Sequence, residues 1–367
     1  MNRRFRFGRQ LRGRAARAAA LALIGGLGLA ACGGSTDTTG GSTAGSSTST
    51  AASSTSGKAS NTQLALVAYS TPKKAYDALA AAYEQSGQGK GVAFSESFGP
   101  SGAQSRAVAT GQPADVVAFS TEPDITRLVK AGLVSSSWDA NNYKGVVSDS
   151  VVVLVVRKGN PKHITGWDDL VKPGIDVITP NPSTSGSARW NILAAYGGEL
   201  KEGKTPSQAL AYLHTLLTKN VSVQPSSASS ALQTFVSGKG DVLLDYESDA
   251  IAAEKAGDPV QYIVPPQTIL IQTPIAVTSN SSHSAQAQAF VNWLWSPEAQ
   301  TIWAKKGYRP VVASVAKQYA AKFPTPPQLF TINTLGGWTE VDKKFFGASN
   351  GLITKIEEAA GVPTVSG

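Results

Sequence analysis

From about Asn61 onward, short apolar runs alternate with longer runs of helical periodicity. The short runs are rich in Val, Ile and Leu and predict strands at 64–69, 92–95, 115–119, 151–156, 177–179, 221–223, 241–245, 261–264 and 275–277. The longer runs predict helices at 73–83, 103–109, 125–131, 167–170, 188–196, 207–217, 231–237, 247–256 and 285–304. Strands that alternate with helices favour an α/β fold with helices on both faces of its sheets.

Four of the predicted strands run into uncharged turns of Ser, Gly, Thr and Pro that lead directly into helices. The turns contain, in chain order, Ser70, Ser101 with Gly102, Ser185 with Gly186 and Ser187, and the stretch 225–230. Backbone N–H groups are free at a helix start, where the helix dipole is positive, and hydroxyls can donate beside them. Because ligands of open α/β sheets bind beyond the carboxyl ends of the strands, the four turns predict one anion site in a cleft.

The turn at 185–187 is the most specific of the four. No Lys, Arg or His lies between Thr179 and Ala188. A site built only from neutral donors suits a fully ionised oxyanion, because it offers no carboxylate to accept a proton. The simpler alternative is that Ser and Gly merely cap helices, and we expect Ser185 or Ser187 to cap an amphipathic helix at 188–196. Four uncharged turns in one chain favour a binding role over capping alone.

The N-terminal residues have the pattern of a lipoprotein signal peptide, which we predict at 1–31. An Arg-rich start precedes an apolar run that is too short to span a bilayer, and Leu29-Ala30-Ala31-Cys32 forms a lipobox. The chain has 1 Cys, which excludes internal disulfides and makes Cys32 the expected lipidation site. Residues 32–60 consist mainly of Ser, Thr, Gly and Ala, so we expect a disordered linker there.

The basic character of the chain comes from this leader. The formal net charge is +8, but seven of the 33 basic residues and none of the 25 acidic residues precede Cys32, which leaves a mature chain of about +1. The mature part has no Lys/Arg stripe with interleaved aromatic residues. Nucleic-acid binding is therefore not expected.

Catalytic and metal chemistry have little support in the sequence. Residues 198–205, GELKEGKT, match the Walker A pattern, but they follow a predicted helix where a phosphate-binding loop would follow a strand. The histidines His163, His214 and His283 lack the spacing of a metal site, and there is no GxSxG nucleophile elbow. We expect no cofactor, no metal and no enzymatic activity.

From about Leu64 to Trp338 the chain resembles the sulfate/thiosulfate-binding proteins of bacterial ABC importers. The resemblance is carried by VRKGNPK at 156–162, WDDLVKPG at 167–174, VITPNPSTSGSARWN at 177–191, GDVLL at 240–244, YRP at 308–310, LFTI at 329–332 and GGW at 336–338. It implies a two-lobed periplasmic binding protein of type II, with the ligand cleft between the lobes. The implied boundaries are 61–150 for the first part of lobe I, 151–265 for lobe II and 266–367 for the second part of lobe I.

The resemblance also implies which residues hold the ligand. In such proteins helix-start N–H groups, serine hydroxyls and one indole N–H bind the dianion without a salt bridge. The matching positions here are Ser70, Ser101, Gly102, Ser185, Gly186, Ser187, Ala228 and Tyr246. Ser70 stands where the family usually has Asp, Ser187 replaces a glycine, and Tyr246 stands in the place of the tryptophan.

The sequence therefore predicts a monomeric, extracytoplasmic lipoprotein that captures sulfate or thiosulfate and passes it to ABC permease subunits. Its contact with the membrane would be the lipid on Cys32 alone.

One alternative is a binding protein for another oxyanion, such as molybdate or phosphate. Phosphate carries a proton that needs an acceptor, and the four turns contain no carboxylate. A sulfuryl- or phosphoryl-transfer enzyme is the remote alternative, because it would need a nucleophile or a metal cluster.

Overall fold

A computed structural model describes residues 62–364, and all nine predicted strands are confirmed in it. They are β1 (Thr62–Tyr69), β2 (Val92–Gly99), β3 (Val116–Ala118), β4 (Val146–Arg157), β5 (Val177–Ile178), β6 (Val221–Val223), β7 (Val242–Tyr246), β8 (Val260–Ile263) and β9 (Leu270–Val277). They form one mixed sheet in the order β2-β1-β3-β9-β4-β7-β5-β6, with β8 paired to β4. The predicted α/β fold class is thus confirmed.

Strand β4 connects the two halves of the sheet. Its N-terminal part pairs with β9, from Val146 opposite Pro274 to Val151 opposite Leu270, whereas its C-terminal part pairs with β7 and β8. On one side of this junction β1, β2 and β3 are parallel to one another, and on the other side β5 is parallel to both β6 and β7. Carboxyl ends of strands from both halves therefore meet near the middle of the sheet.

Each half has its own hydrophobic core. Leu64, Tyr83 and Trp303 belong to a core beneath β1, and Leu154 and Trp190 belong to a core beneath β4 and β7. The second core also contains residues from the end of the chain, among them Phe330, Trp338, Phe345 and Ile353. The assignment of residues to lobes stays a prediction, and this packing favours grouping residues 330–353 with the second half.

Twelve α-helices surround the sheet in residues 62–364. They are α1 (Lys73–Gln85), α2 (Ser101–Ala109), α3 (Glu122–Lys130), α4 (Gly186–Lys201), α5 (Pro206–Thr215), α6 (Ala228–Val236), α7 (Glu247–Ala256), α8 (Ser284–Trp293), α9 (Pro297–Lys305), α10 (Ala313–Gln318), α11 (Gly337–Val341) and α12 (Leu352–Ala359). Short 3-10 segments occupy Trp167–Val171 and Ile332–Leu335, and π turns occupy Leu216–Asn220 and Asp342–Phe346. None of the helices in this range combines the length and apolarity needed to cross a membrane.

Several helix predictions need correction. The helix predicted at 167–170 is a 3-10 segment, and α3 begins at Glu122 instead of residue 125. The single helix predicted at 285–304 is two helices, because Ser296 caps α9 and Pro297 occupies its first position, where proline is favoured. Helices α2, α4 and α6 each begin two or three residues before the predicted start. The helix at 188–196 was predicted to be amphipathic, but α4 is buried on nearly every side.

Asn191 fixes α4 to the ends of two strands. Its side-chain amide donates to Thr179 Oγ1, after β5, at 3.1 Å and to the Leu244 carbonyl of β7 at 2.8 Å.

Candidate anion-binding site

Six strands of the sheet lead into a helix, five through a short turn and β7 directly. In this way β1, β2, β3, β5, β6 and β7 lead into α1, α2, α3, α4, α6 and α7. Helices α1, α2, α4 and α6 have no acidic residue in the first turn, so their positive ends are free to attract an anion. The early starts of α2, α4 and α6 place Ser101, Gly186 and Ala228 at the first helical position, where backbone N–H groups have no partner within the helix.

Ser120, in the turn between β3 and α3, lies at the centre of most of the predicted site residues. Its Oγ is 2.7 Å from the Tyr246 hydroxyl, and its backbone N–H donates to Ser101 Oγ at 3.0 Å. Gly186 is so close that a Cβ atom on it would lie 2.8 Å from Ser120 Oγ. The Gly102 N–H donates to the Thr184 carbonyl at 3.0 Å. Residues from four separate turns therefore converge within a few ångströms.

The serines of the 185–187 turn face each other in this cluster. Ser185 occupies the position before the first residue of α4, but its side chain makes no capping hydrogen bond. Ser185 Oγ instead lies 3.1 Å from Ser187 Oγ, and both side chains are buried. The expectation that one of these hydroxyls caps α4 is wrong. The first N–H groups of α4 consequently remain unbound by a side-chain cap and are available to a ligand.

Tyr246 provides a neutral donor in a fully buried position. Burial raises the pKa of Tyr246 well above its usual value, and nearby carboxylates raise it further, while hydrogen bonds with Ser120 and Ser187 act in the opposite direction. The phenol therefore keeps its proton at neutral pH. Tyr246 is the residue directly before α7. Its hydroxyl can donate a hydrogen bond, as the indole N–H of a tryptophan would at this position.

Within residues 62–364, no hydrogen bond joins Ser70 or Ala228 to the residues around Ser120. Ser70 lines a groove of about 870 Å³ together with Ser229, the residue after Ala228. Ala228 is buried at the start of α6, where Ser227 accepts a hydrogen bond from the Ser230 N–H at 3.1 Å. The turn before α6 is linked to the turn before α4, because Thr184 Oγ1 donates to the Ser226 carbonyl at 2.8 Å.

The turn formed by Ser120 and Thr121 was not predicted from the sequence. This turn follows β3 as the others follow their strands, but the first turn of α3 contains Glu122 and Asp124, which hid the pattern. Asp124 is buried, and its Oδ2 accepts hydrogen bonds from Ser101 Oγ at 2.6 Å and from Thr121 Oγ1 at 3.0 Å.

The charge of Asp124 is balanced locally. Arg127 Nη1 lies 2.9 Å from Asp124 Oδ1. Both carboxylate oxygens of Asp124 are thus engaged within the protein. Asp124 orients the Ser101 hydroxyl, and this carboxylate is no longer available to accept a proton from a ligand.

A second pair of carboxyl groups lies next to Tyr246. Asp245 is fully buried; its Oδ1 accepts from the Tyr246 N–H at 2.8 Å, and its Oδ2 has no hydrogen-bond partner in residues 62–364. Burial, reinforced by the charge of Asp249, raises the pKa of Asp245 well above its usual value. Burial also raises the pKa of Asp249, to about 6. Burial therefore favours the neutral form of the Asp245 carboxyl group.

Three carboxylates near the end of α4 come close enough to consider a metal site. Single oxygens of Asp168, Glu199 and Glu202 all lie within 4.8 Å of one another. Lys204 already occupies the space between them, 2.9 Å from Asp168 and 3.0 Å from Glu199. This lysine belongs to the Walker-like stretch 198–205, which joins α4 to α5 and does not follow a strand. Residues 198–201 form the last turn of α4 and residues 202–205 form the loop to α5, and ion pairs of Lys204 hold the two parts together.

The predicted lipidation residue Cys32, with the signal peptide and linker, lies outside the described residues.

Comparisons with known proteins place the chain in a defined group. Residues 64–309 match the family model of bacterial extracellular solute-binding proteins. A sulfate-binding protein of Synechococcus elongatus is 40% identical over 352 residues, which cover 93% of this chain and 95% of that protein. A thiosulfate-binding protein of Pseudomonas aeruginosa is 34% identical over 284 residues, which cover 74% of this chain and 85% of that protein.

A solved structure shows the same architecture. The sulfate-binding protein SubI from Mycobacterium tuberculosis is 49% identical and superimposes with a TM-score of 0.76, covering 78% of this chain and 99% of that one.

Proposed function

This chain belongs to the bacterial extracellular solute-binding proteins, among their sulfate- and thiosulfate-binding members, and we propose that it captures sulfate or thiosulfate for an ABC importer. The family consists of solute-binding proteins and is not a family of enzymes. The main observation in favour of the proposal is the convergence of Ser101, Gly102, the 185–187 turn and Tyr246 around Ser120. Uncharged polar groups from four turns meet there, and the Ser101 hydroxyl and the Gly102 N–H would exchange their present acceptors, Asp124 and the Thr184 carbonyl, for the ligand.

The donors suit a dianion that carries no proton. Hydrogen bonds to an ionised partner contribute about 1.5–3 kcal/mol each. A set of such bonds can offset desolvation and leave the roughly −8 kcal/mol of a micromolar site. The Asp124 carboxylate is engaged by Ser101, Thr121 and Arg127, so it is not free to accept the O–H of a protonated anion. These features favour sulfate and thiosulfate over phosphate.

We assign ligand contacts to Ser70, Ser101, Gly102, Ser185, Gly186, Ser187, Ala228 and Tyr246, and add Ser120. Calorimetric titration of the purified protein with sulfate, thiosulfate, molybdate and phosphate tests this assignment. We expect one equivalent of sulfate or thiosulfate to bind with micromolar affinity or better. Tighter binding of molybdate than of either sulfur oxyanion would contradict the proposal.

We also propose that the protein is exported and anchored to the outer face of the membrane by a lipid. The lipobox before Cys32 supports export followed by acylation, which would leave a monomer tethered outside the cytoplasm beside its permease. Metabolic labelling with a fatty acid tests this directly. The wild type should incorporate label and Cys32→Ser should not, whereas a labelled Cys32→Ser protein would rule out acylation at this residue.

A further inference from the structure

A second cavity, of about 150 Å³, lies close to the candidate anion site and is lined by three arginines. Arg106 extends from α2, Arg127 from α3 and Arg189 from α4. Helices α2 and α4 begin with residues of the candidate site, and Arg106 and Arg189 follow about one helical turn later. The cavity therefore concentrates positive charge from both sides of the site.

Arg106 is the least neutralised of the three. Arg127 and Arg189 each pair with an aspartate carboxylate, at 2.9 Å and 2.5 Å. Within residues 62–364 the side chain of Arg106 makes a single hydrogen bond, from Nη2 to the Ser183 carbonyl at 3.3 Å. Burial lowers the pKa of Arg106, and the charges of Arg127 and Arg189 lower it further. An anion in the cavity would relieve this repulsion and receive bidentate hydrogen bonds from the guanidinium.

The start of α12 adds further donors to the same cavity. The residue before this helix is Gly351, and the helix start has no side-chain cap. Ile353 and Thr354, both in the first turn of α12, line the cavity. Uncapped N–H groups and the positive end of the helix dipole therefore face the same region as the arginines.

Glu357, one turn further along α12, gives the cavity an acceptor. Its side chain is only 1% exposed and lines the cavity. Its Oε2 accepts a hydrogen bond from Gln224 Nε2 at 2.8 Å, while its Oε1 has no partner in the described part of the chain. A carboxylate oxygen repels a fully ionised oxyanion but accepts the O–H of a protonated one.

We propose that this cavity binds hydrogen phosphate, with Arg106 and the start of α12 as donors to its oxygens and Glu357 Oε1 as acceptor of its O–H. Hydrogen phosphate combines two negative charges with one O–H, which sulfate lacks. A fully ionised phosphate monoester also lacks this O–H, so the cavity selects inorganic phosphate. The site goes beyond the proposed function and does not depend on which anion occupies the first site.

Calorimetry with inorganic phosphate tests the proposal, first on the protein alone and then on protein holding one equivalent of sulfate. We expect one equivalent of phosphate to bind in both cases without releasing the sulfate. Arg106→Gln should weaken phosphate binding at least about tenfold and leave sulfate binding unchanged. Lys130→Gln, which removes an exposed charge from α3 outside the cavity, is the matched control and should bind phosphate as the wild type does.

A second variant tests the acceptor. In Glu357→Gln the carbonyl oxygen keeps the bond from Gln224, so the amide N–H₂ faces the cavity in place of Oε1. Phosphate binding should fall about tenfold, and glycerol phosphate should bind more weakly than phosphate to the wild type. The proposal is overturned if the wild type binds no phosphate, if phosphate displaces the sulfate, or if either variant binds phosphate as tightly as the wild type.

Discussion

At the scale of single residues, the candidate site depends on the close approach of α4 to the turn between β3 and α3. Gly186 allows α4 to approach the Ser120 turn, since any Cβ there would lie 2.8 Å from both Cβ and Oγ of Ser120 and 3.0 Å from Thr121 Cγ2. These distances are too short for any real side chain, so a substitution must push α4 and the β3–α3 turn apart. The donors of Ser101 and Tyr246 would separate with them.

Gly186→Ala should weaken sulfate binding by about ten- to a hundredfold, because the methyl group displaces the first turn of α4 from its partners. Gly166→Ala is the control, since a Cβ at Gly166 meets nothing within 4 Å. Equilibrium dialysis with labelled sulfate gives both affinities. Equal affinities in the two variants would remove the 185–187 turn from the site.

The residues of this turn were predictable because a helix start and its free N–H groups follow from local sequence. Ser120 was not predictable in the same way. Its role arises from contacts with Ser101, Gly186 and Tyr246, which lie 19, 66 and 126 residues away in the sequence. Acidic residues in the first turn of α3 also made the local pattern resemble an ordinary helix start.

At the scale of elements, the site needs helices whose starts are held in fixed positions. Helix α7 begins at Glu247, directly after Tyr246. Arg309, on the segment after α9, binds both oxygens of Glu247, with Nε 2.7 Å from Oε2 and Nη2 3.0 Å from Oε1. Arg309 also donates to the carbonyls of Phe323 and Pro324. This buried pair fixes the start of α7 and with it the backbone of Tyr246.

Replacing one partner of this pair should be costly. Arg309→Met should lower the free energy of unfolding by about 3–5 kcal/mol, because it leaves the Glu247 carboxylate buried without a counter-ion. The double variant Arg309→Met/Glu247→Met should recover much of this loss. Urea denaturation at pH 7 measures both, with the exposed Lys239→Met as control. If the double variant were no more stable than Arg309→Met, the unpaired Glu247 carboxylate would not be the cause of the lost stability.

At the scale of the whole molecule, every strand was predicted from the sequence, whereas three helices near the end of the chain were not. The strands were recognisable because each is a short apolar run. Helices α10, α11 and α12 were missed because they are short, with 6, 5 and 8 residues, too few for a clear helical periodicity. Trp338 of α11 and Phe345 of the π turn after it pack against α4, about 150 residues earlier, and the pattern along the chain does not record this contact.

Buried carboxyl groups should make the stability of the whole protein depend on pH. Because the pKa of Asp245 is raised in the folded state, the proton is bound more tightly there than in the unfolded chain. The contribution of Asp245 to the free energy of unfolding is therefore fully present below about pH 4. It is lost progressively as the pH rises through the pKa that Asp245 has in the folded state. Asp245→Asn should be more stable than the wild type at pH 8 and nearly equal to it at pH 4. Thermal unfolding of both proteins at pH 4 and pH 8 measures the difference in stability. The same difference at both pH values would show that titration of Asp245 is not its cause.

The central claim is that neutral donors from four turns select an oxyanion without a proton. The most direct measurement is displacement of labelled sulfate from the purified protein by unlabelled anions at pH 7. We predict that unlabelled sulfate displaces the label at an equimolar concentration, and that phosphate fails to displace it even at about a thousandfold excess. Displacement by phosphate at concentrations similar to those of sulfate would contradict the claim.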